Sequence, residues 1–373
     1  MVPRARPGER GTTSSTGGTQ VGRRSEPAQR VRLAGVLVYG AALTCWLAVM
    51  GLPRQALPAF VWIWLATIAW NIRAPWRTHL AFLRDWSLPL AVLTLYLYSR
   101  GVADDLGIAS VHVTAPITAD RWLFGGTLPT EYLQAKLCGD PCLRSSPRHW
   151  YDVVLTTVYY SHFVVALTVA AVLWVRDRSA WVGYMRRYLS LNVLAVVVYI
   201  AYPMAPPWLA AQEGFIPDRV ARITGRGWYD LSDRDFHQRL SAVGNPVAAM
   251  PSLHAGVALF VALFGISRLR RRWRWLLLLY PLTMSFMLVY YAEHYVIDVV
   301  AGFALAALVM WGCRAWEARR ASAAGQRAST TALPPSTTSS WPVTYDDPGE
   351  ARNATAAATS SGVPDRPTGV PRP

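Results

Sequence analysis

Long apolar runs follow one another along most of the 373 residues, and they restrict the fold more than any other feature. Eight runs predict helices that need lipid as their solvent. They are Leu33–Met50, Leu57–Trp70, Trp86–Ser99, Val153–Val175, Leu189–Pro203, Ser252–Leu269, Trp275–Tyr291 and Tyr295–Cys313. Several are shorter than the roughly 20 residues that a helix needs to cross the hydrocarbon core, so we expect their ends to extend into flanking residues. The predicted fold class is all-α, a polytopic membrane helix bundle.

The charge of the chain fits this interpretation. Hydrophobic residues make up 53% of the sequence and charged residues 16%, whereas soluble domains carry about 25% charge. A net charge of +15 is also typical of nucleic-acid binding, where basic side chains neutralise phosphates. Here the arginines lie in short loops between apolar runs, as the positive-inside bias predicts. We therefore expect a membrane protein and no nucleic-acid partner.

The basic loops also predict the topology. Arginines cluster at residues 23–32, 73–84, 176–187, 268–274 and 314–320, and these clusters alternate correctly with an even number of spans. Both termini are then cytoplasmic, and the protein is a multi-pass protein of the cell membrane. Two long segments, at about 100–151 and 204–250, lie outside together with a short turn around 292–294. Residues 1–32 and 321–373 have the composition of disordered tails, which leaves residues 33–320 as the transmembrane domain.

Residues that could bind phosphate or transfer a proton stand at the start of the sixth predicted span, in the sequence Pro251-Ser252-Leu253-His254. Proline suits the first turn of a helix, and the free N–H groups of such a turn favour a bound phosphate. His254 projects from that turn, and its imidazole can exchange a proton near neutral pH.

A second constellation opens the eighth span, in His294-Tyr295-Val296-Ile297-Asp298. Residues four apart lie on one helical face, so Asp298 can accept a hydrogen bond from one ring nitrogen of His294. The other nitrogen is then held ready to attack. Gly302 follows and would allow another helix to approach closely.

Two other interpretations of these residues stay open. His294 and Asp298 can form a purely structural hydrogen-bonded pair, and two histidines with an aspartate can ligate zinc. No metal-binding motif accompanies them, and we expect neither a metal nor a cofactor. Both constellations begin inward-running helices on the same predicted face, and ionisable residues at such depth are functional by default. A phosphoryl-transfer site is therefore the favoured interpretation.

The two motifs together resemble the second and third signatures of the type 2 phosphatidic acid phosphatase superfamily. They span Met250–Gly256 and Glu293–Gly302. Segments Asp120–Thr130 and Tyr202–Trp208 are similar to the inositol phosphorylceramide synthase branch, including its bacterial members. The resemblance covers roughly 86–312 and implies a six-helix phosphatase-type core preceded by two N-terminal transmembrane helices.

The resemblance also implies a role for each motif residue. His294 would be the nucleophile that forms a phosphohistidine, and Asp298 would orient it. His254 would protonate the leaving group and then deprotonate the acceptor. Ser252 and nearby N–H groups would hold phosphate oxygens, and no metal would be required.

The cationic clamp of the family is missing from this chain. Its first motif carries Lys and Arg-Pro where this sequence has Ala195 and Tyr202-Pro203, and its third carries Ser-Arg where this sequence has Met287-Leu288. A transition state with distributed negative charge still needs a cation. The residues proposed to contact phosphate or substrate are Arg100, Arg121, Arg148, Asn245 and His162. For each arginine the alternative is an interfacial side chain that reaches toward the headgroups, and for His162 it is a packed core histidine.

Cys138 and Cys142 flank a short turn in the first outside segment. A disulfide is favoured there if that face is oxidising, while two free thiols or a partial metal site are the alternatives.

The predicted function is transfer of a phosphoryl or phospho-alcohol group of a membrane lipid at the outer face. The substrate is a phospholipid, a phosphoinositide or a polyprenyl phosphate. Water as acceptor makes a lipid phosphatase and an alcohol makes a phosphotransferase. A proton-coupled transporter is the rival, and it predicts broken helices at the membrane centre and an inverted repeat, neither of which is visible. A catalytically silent membrane scaffold is a third possibility.

Overall fold

The fold is all-α throughout the residues that the structure, a computed structural model, describes. These residues are 26–50, 56–102, 109–143, 145–217, 219–228 and 247–331. The chain divides into two units at residue 315. Of the second unit, only residues 316–331 are described, and they are helical.

Eleven α-helices occur in the described part of the chain. They are α1 (Glu26–Met50), α2 (Ala56–Trp70), α3 (Trp76–Val102), α4 (Thr114–Leu123), α5 (Pro129–Leu137), α6 (Trp150–Arg176), α7 (Arg178–Ala201), α8 (Pro207–Gln212), α9 (Leu253–Arg268), α10 (Leu279–Tyr290) and α11 (Val296–Thr331). Short 3₁₀ helices occupy Arg226–Trp228 and Arg272–Leu278. Each of the eight predicted apolar runs falls on α1, α2, α3, α6, α7, α9, α10 with its preceding 3₁₀ helix, or α11.

Five helical stretches in the described residues are long and apolar enough to cross a membrane. They are Gln29–Met50, Trp76–Ser99, Trp150–Arg176, Arg272–Tyr290 and Val296–Ala324. Two more apolar helices, Leu57–Trp70 and Leu253–Arg268, are shorter. The protein is therefore a multi-pass membrane protein, as its composition predicted.

Apart from α9, which is one residue shorter than its predicted run at each end, the helices extend beyond the predicted apolar runs at one end or at both, as expected. The third run began at Trp86, whereas α3 begins at Trp76 and includes charged residues such as Arg84 and Asp85 in its first turns. Helix also occupies residues 26–32 and 321–331, where the composition predicted tails. Alanine is the strongest helix former, and the alanine-rich stretch 321–328 continues α11 for this reason. The rest of both tails lies outside the described residues.

Aromatic side chains build the core that joins α3, α6 and α7. Phe82 and Trp86 of α3 stack with centroids 4.9 Å apart, and Trp174 of α6 meets Phe82 edge to face at 5.0 Å. The Trp174 indole N–H donates to Asp85 over 3.1 Å, and Arg178 at the start of α7 pairs with the same carboxylate. Burial of such large rings is the main stabilising contribution here.

Short helices and loops cover the end of the bundle where α6, α9 and α11 begin. Gln134 of α5 ties two of these segments together, because its amide donates to the carbonyls of Ala221 and Tyr290 over 2.7 and 3.0 Å. Isolated bridges join Met204 to His112 and to Ala248. The described residues of these segments thus form a cap over this end of the bundle.

A fully buried ion pair anchors the cap to α6. The guanidinium of Arg226 donates to Asp152 over 3.2 Å and to the carbonyls of Ser146 and Pro147. The hydroxyl of Tyr290 reaches the other carboxylate oxygen at 3.2 Å. A buried charge requires such compensation.

Cys138 and Cys142 form a disulfide that follows α5, which confirms the favoured interpretation of that pair. Cys45 and Cys313 are free thiols.

Candidate active site

The two motif histidines come together where α9 and α11 begin. Their ring centroids lie 5.9 Å apart at an interplanar angle of 60°. The backbone N–H of Ser252 donates to the carbonyl of Asp298 over 2.9 Å, which joins the two helix starts directly. Gly256 and Gly302 face each other one turn further on, where a Cβ on Gly256 would lie 3.0 Å from the Gly302 carbonyl oxygen. The predicted close approach at Gly302 is confirmed.

His294 and Asp298 form the dyad that their spacing predicted. Nδ1 of His294 lies 3.4 Å from Oδ2 of Asp298, and the same oxygen accepts the backbone N–H of Tyr295 over 2.9 Å. Asp298 is fully buried and His294 is 6% exposed. The other carboxylate oxygen of Asp298 makes no hydrogen bond among the described residues. Because Nδ1 faces the carboxylate, Nε2 is the nitrogen that can act on a substrate.

The turn before His294 is unusual. Ala292 has a φ of 62°, in the left-handed region that non-glycine residues seldom adopt. Its carbonyl accepts the N–H of Trp208 over 3.1 Å. The turn that delivers His294 is therefore supported by the segment around α8.

His254 stands in an aromatic environment supplied by α6. The ring of Tyr159 stacks on it at 5.2 Å and 18°, and the ring of His162 lies at 4.2 Å and 39°. Phe163 approaches edge-on at 5.9 Å. His162, which was predicted to contact substrate, thus lies beside His254, whose ring is also 5.9 Å from that of His294.

Ser252 caps α9. Its hydroxyl oxygen accepts the N–H of Ala255 over 3.4 Å, the arrangement that satisfies the otherwise unpaired donors of a first turn. The side chain is fully buried. The structure therefore gives Ser252 a helix-capping contact beside the predicted phosphate contact, which stays a prediction.

The three arginines and the asparagine that were predicted to contact phosphate or substrate differ in exposure and in how far the structure describes them. Arg121 pairs with Glu131 over 3.4 Å, and Arg148 is exposed. Arg100 falls near the end of α3, with its side chain outside the described part, and Asn245 lies wholly outside it. Their predicted contacts with phosphate stay predictions.

Arg222 is a cation near the dyad that sequence reasoning missed. It binds Glu293, the residue before His294, through two hydrogen bonds of 2.8 and 3.2 Å. The Thr224 hydroxyl also donates to this carboxylate, and the guanidinium lies 4.6 Å over the ring of Trp208. Burial raises the pKa of Glu293, but the charge of Arg222 and these hydrogen bonds outweigh it and lower the pKa overall.

Asp120 is the second residue that sequence reasoning missed. Its two carboxylate oxygens accept the backbone N–H groups of Val296 and Ile297 over 2.9 and 3.0 Å. Burial raises the pKa of Asp120, and the two N–H donors act in the opposite direction. Neither this contact nor that of Arg222 has a local sequence signal, because the partners are 176 and 71 residues apart.

A metal was the alternative use of the histidines. Within the described residues, no three His, Cys, Asp or Glu side chains are grouped so as to hold a metal ion.

Comparison with known proteins identifies the fold around this site. The profile of the PAP2 superfamily matches residues 143–312. A phosphoinositol dihydroceramide synthase of Bacteroides thetaiotaomicron is 26% identical over 238 residues, which are 59% of this chain and 73% of that protein. No solved structure matches the chain.

Two fungal proteins are also similar. The catalytic subunit of inositol phosphorylceramide synthase from Schizosaccharomyces pombe is 32% identical over 33% of this chain, and inositol phosphorylceramide synthase from Candida albicans is 25% identical over 40%. The chain spans only 30% and 32% of their lengths. Residues 143–312 therefore match the PAP2 superfamily profile, and the chain is similar to a bacterial phosphoinositol dihydroceramide synthase and to fungal inositol phosphorylceramide synthases.

Proposed function

We propose that the protein is a membrane lipid phosphotransferase that moves a phosphoryl or phospho-alcohol group through a phosphohistidine on His294. The observation that carries this proposal is the cluster of Asp298, His294 and His254 at one helix junction. It combines a carboxylate, an oriented imidazole and a second imidazole within reach of the same phosphorus. Separate positioning, nucleophile and acid–base groups are what covalent transfer requires.

In the first half of the reaction, Nε2 of His294 donates its lone pair to the phosphorus of the lipid. The bond from phosphorus to the leaving oxygen breaks, and His254 gives that oxygen its proton. Asp298 accepts the hydrogen bond from Nδ1 and stabilises the positive imidazole that results. The product of this half is a phosphorylated His294 and a free alcohol.

In the second half, the acceptor hydroxyl attacks the phosphorus of the phosphohistidine. His254, now neutral, takes the proton of that hydroxyl, and the bond to Nε2 of His294 breaks. Both imidazoles return to their initial state. Every proton is therefore accounted for by the two histidines, and no metal is needed for the cycle.

Negative charge on the non-bridging oxygens must be balanced by cations. Arg100, Arg121 and Arg148 are proposed for this role, and Ser252, Asn245 and His162 are proposed to contact phosphate or substrate. Arg222 joins them because its partner Glu293 directly precedes His294. Arginine suits phosphate because its planar fork binds two oxygens at once.

We propose that the donor is an inositol phospholipid of the outer leaflet and that the acceptor is a lipid alcohol. The name of the Bacteroides relative supports a phosphoinositol group. The basic loops support a cytoplasmic location of both termini and an outward-facing site. Water as acceptor would instead yield a lipid phosphatase.

The deciding experiment incubates the purified full chain with phosphatidylinositol carrying a labelled headgroup, with and without a ceramide or a diacylglycerol. A new labelled phospholipid that depends on the added alcohol is expected. Free phosphoinositol or phosphate alone would identify a hydrolase. The His294→Ala variant, compared at equal folded amount, should form none of these products, and undiminished product would overturn the mechanism.

A further inference from the structure

We propose that Asp120 is a positioning residue of the active site, which holds the start of α11 so that His294 and Asp298 stand correctly toward His254. This inference rests on the proposed function. It extends the site to α4, outside residues 143–312 that match the superfamily profile.

Asp120 contacts the backbone that connects the two residues of the dyad. The two N–H groups from which its carboxylate accepts belong to Val296 and Ile297, which are two of the three residues between His294 and Asp298. Any shift of this stretch moves the nucleophile and its orienting carboxylate relative to each other. The contact from Nδ1 of His294 to Asp298 is already 3.4 Å long, so a small further displacement breaks it.

Carboxylates accept hydrogen bonds from three successive backbone N–H groups at this helix start. Asp298 accepts from Tyr295 over 2.9 Å, and Asp120 accepts from the next two residues. Negative charge at a helix N-terminus is favourable because of the helix dipole. These three donors are therefore occupied, and a phosphate bound to His294 has to be held by other groups.

The contact between Asp120 and the start of α11 is shielded from solvent. Asp120 is fully buried, as is the ring of Tyr295 beside it. In such a buried region a misplaced donor has no solvent to replace its partner.

Only a carboxylate satisfies both N–H groups at once. In Asp120→Asn one oxygen becomes an NH₂ group, which presents a donor to a backbone donor. The helix start must then move away on one side. Displacements of about 1 Å can lower a rate on the order of 100-fold, and we expect a decrease of this size in kcat. KM should change little, because the fully buried side chain is proposed to act through the helix start and not on the substrate.

The matched control is Asp177→Asn. Asp177 also caps a helix, since its carboxylate accepts the N–H of Ala180 over 2.9 Å at the start of α7. The control therefore removes a capping carboxylate from a helix start that carries none of the proposed catalytic residues. Both variants and the wild type are compared for melting temperature in detergent, kcat, KM and the amount of phosphohistidine trapped in a single turnover.

We expect Asp120→Asn to fold, to bind lipid with an unchanged KM and to form phosphohistidine about 100-fold more slowly, whereas Asp177→Asn keeps the wild-type rate. Amide exchange in residues 295–297 should be faster in Asp120→Asn alone. Wild-type phosphohistidine formation in folded Asp120→Asn, or an equal loss in both variants, would overturn the inference.

A second variant covers the case in which Asp120→Asn does not fold. Asp120→Glu keeps both oxygens on a longer arm, and it should lower kcat at near wild-type stability. A Glu variant with wild-type kcat overturns the inference. Absence of phosphohistidine in the wild type would instead reject the proposed function, so the two failures are distinguishable.

Discussion

Gly302 of α11 packs directly against Ser252, the cap of α9, with no room between them for a side chain. A Cβ on Gly302 would overlap the Ser252 carbonyl oxygen. The obstacle is backbone and cannot swing aside as a flexible side chain would. The absence of a side chain at this position therefore allows the two motif-bearing helices to approach each other this closely.

We predict that Gly302→Ala destabilises the protein by about 1–3 kcal/mol, the usual cost of adding a methyl group to a packed core, and lowers kcat as well. Gly312→Ala on the same helix is the control, because a Cβ there meets nothing within 4 Å. That change should be neutral or slightly stabilising, since alanine favours helix. Melting temperatures in detergent and initial rates test both, and equal behaviour of the two variants would contradict the prediction.

Asp298→Asn should reduce kcat on the order of 10³- to 10⁴-fold, because the amide no longer holds His294 in the tautomer with a proton on Nδ1. The measurement is a single turnover of phosphorus-labelled lipid, stopped with denaturing detergent at alkaline pH because the N–P bond of phosphohistidine hydrolyses in acid. Asp85→Asn is a suitable comparison, since Asp85 binds Trp174 and Arg178 in a different part of the bundle. A comparable rate loss in both variants would assign Asp298 a structural role only.

Arg226→Met should cost about 3–5 kcal/mol, because it leaves the carboxylate of Asp152 buried without its partner. Arg219→Met is the matched change at a pair with Asp140 in which both side chains are about half exposed, and its cost should stay below about 1 kcal/mol. Thermal unfolding of the purified variants measures the stability cost of each substitution. The prediction fails if the two substitutions are equally mild.

The Arg222–Glu293 pair should make stability depend on pH in the acid range. The folded protein lowers the pKa of Glu293, so the pair contributes stability above the ordinary pKa of about 4.3 and loses it as the pH falls through the folded value. Melting temperatures of wild type and Glu293→Gln should therefore differ at pH 7 and converge toward pH 3. A gap that stays constant across this range would show that the charge of Glu293 is not responsible.

A chelator should leave turnover unchanged, since the proposed cycle uses only the two histidines and Asp298. The protein is dialysed against EDTA, and product formation is compared before and after. Strong inhibition that zinc reverses would instead favour a metal held by these three residues.

Local patterns were sufficient to predict the apolar helices and the dyad, although only five of the helical stretches in the described residues are long and apolar enough to cross a membrane. Apolar runs mark helices in lipid because hydrophobicity acts on each segment independently, and the four-residue spacing of His294 and Asp298 has meaning within a single helix. Cys138 and Cys142 are equally close in sequence, and their predicted pairing is confirmed.

Contacts between distant segments could not be predicted in this way. Arg222 reaches Glu293 and Asp120 reaches α11 only after the cap has folded over the bundle. Arg121, one residue from Asp120, was predicted to contact phosphate because the missing clamp requires another cation. His162 was proposed only as a possible substrate contact, and its place beside His254 depends on how α6 and α9 pack.

The carboxylate of Asp120 has its partners in the last span of the bundle, and this order has a consequence for biosynthesis. A nascent chain exposes α4 long before α11 has been synthesised, so the two N–H groups that Asp120 accepts do not yet exist. During that interval the membrane already contains His254 without the nucleophile. On the proposed mechanism, a partly inserted chain therefore cannot cleave the lipids that surround it, and activity begins only when the last helix has entered the bilayer.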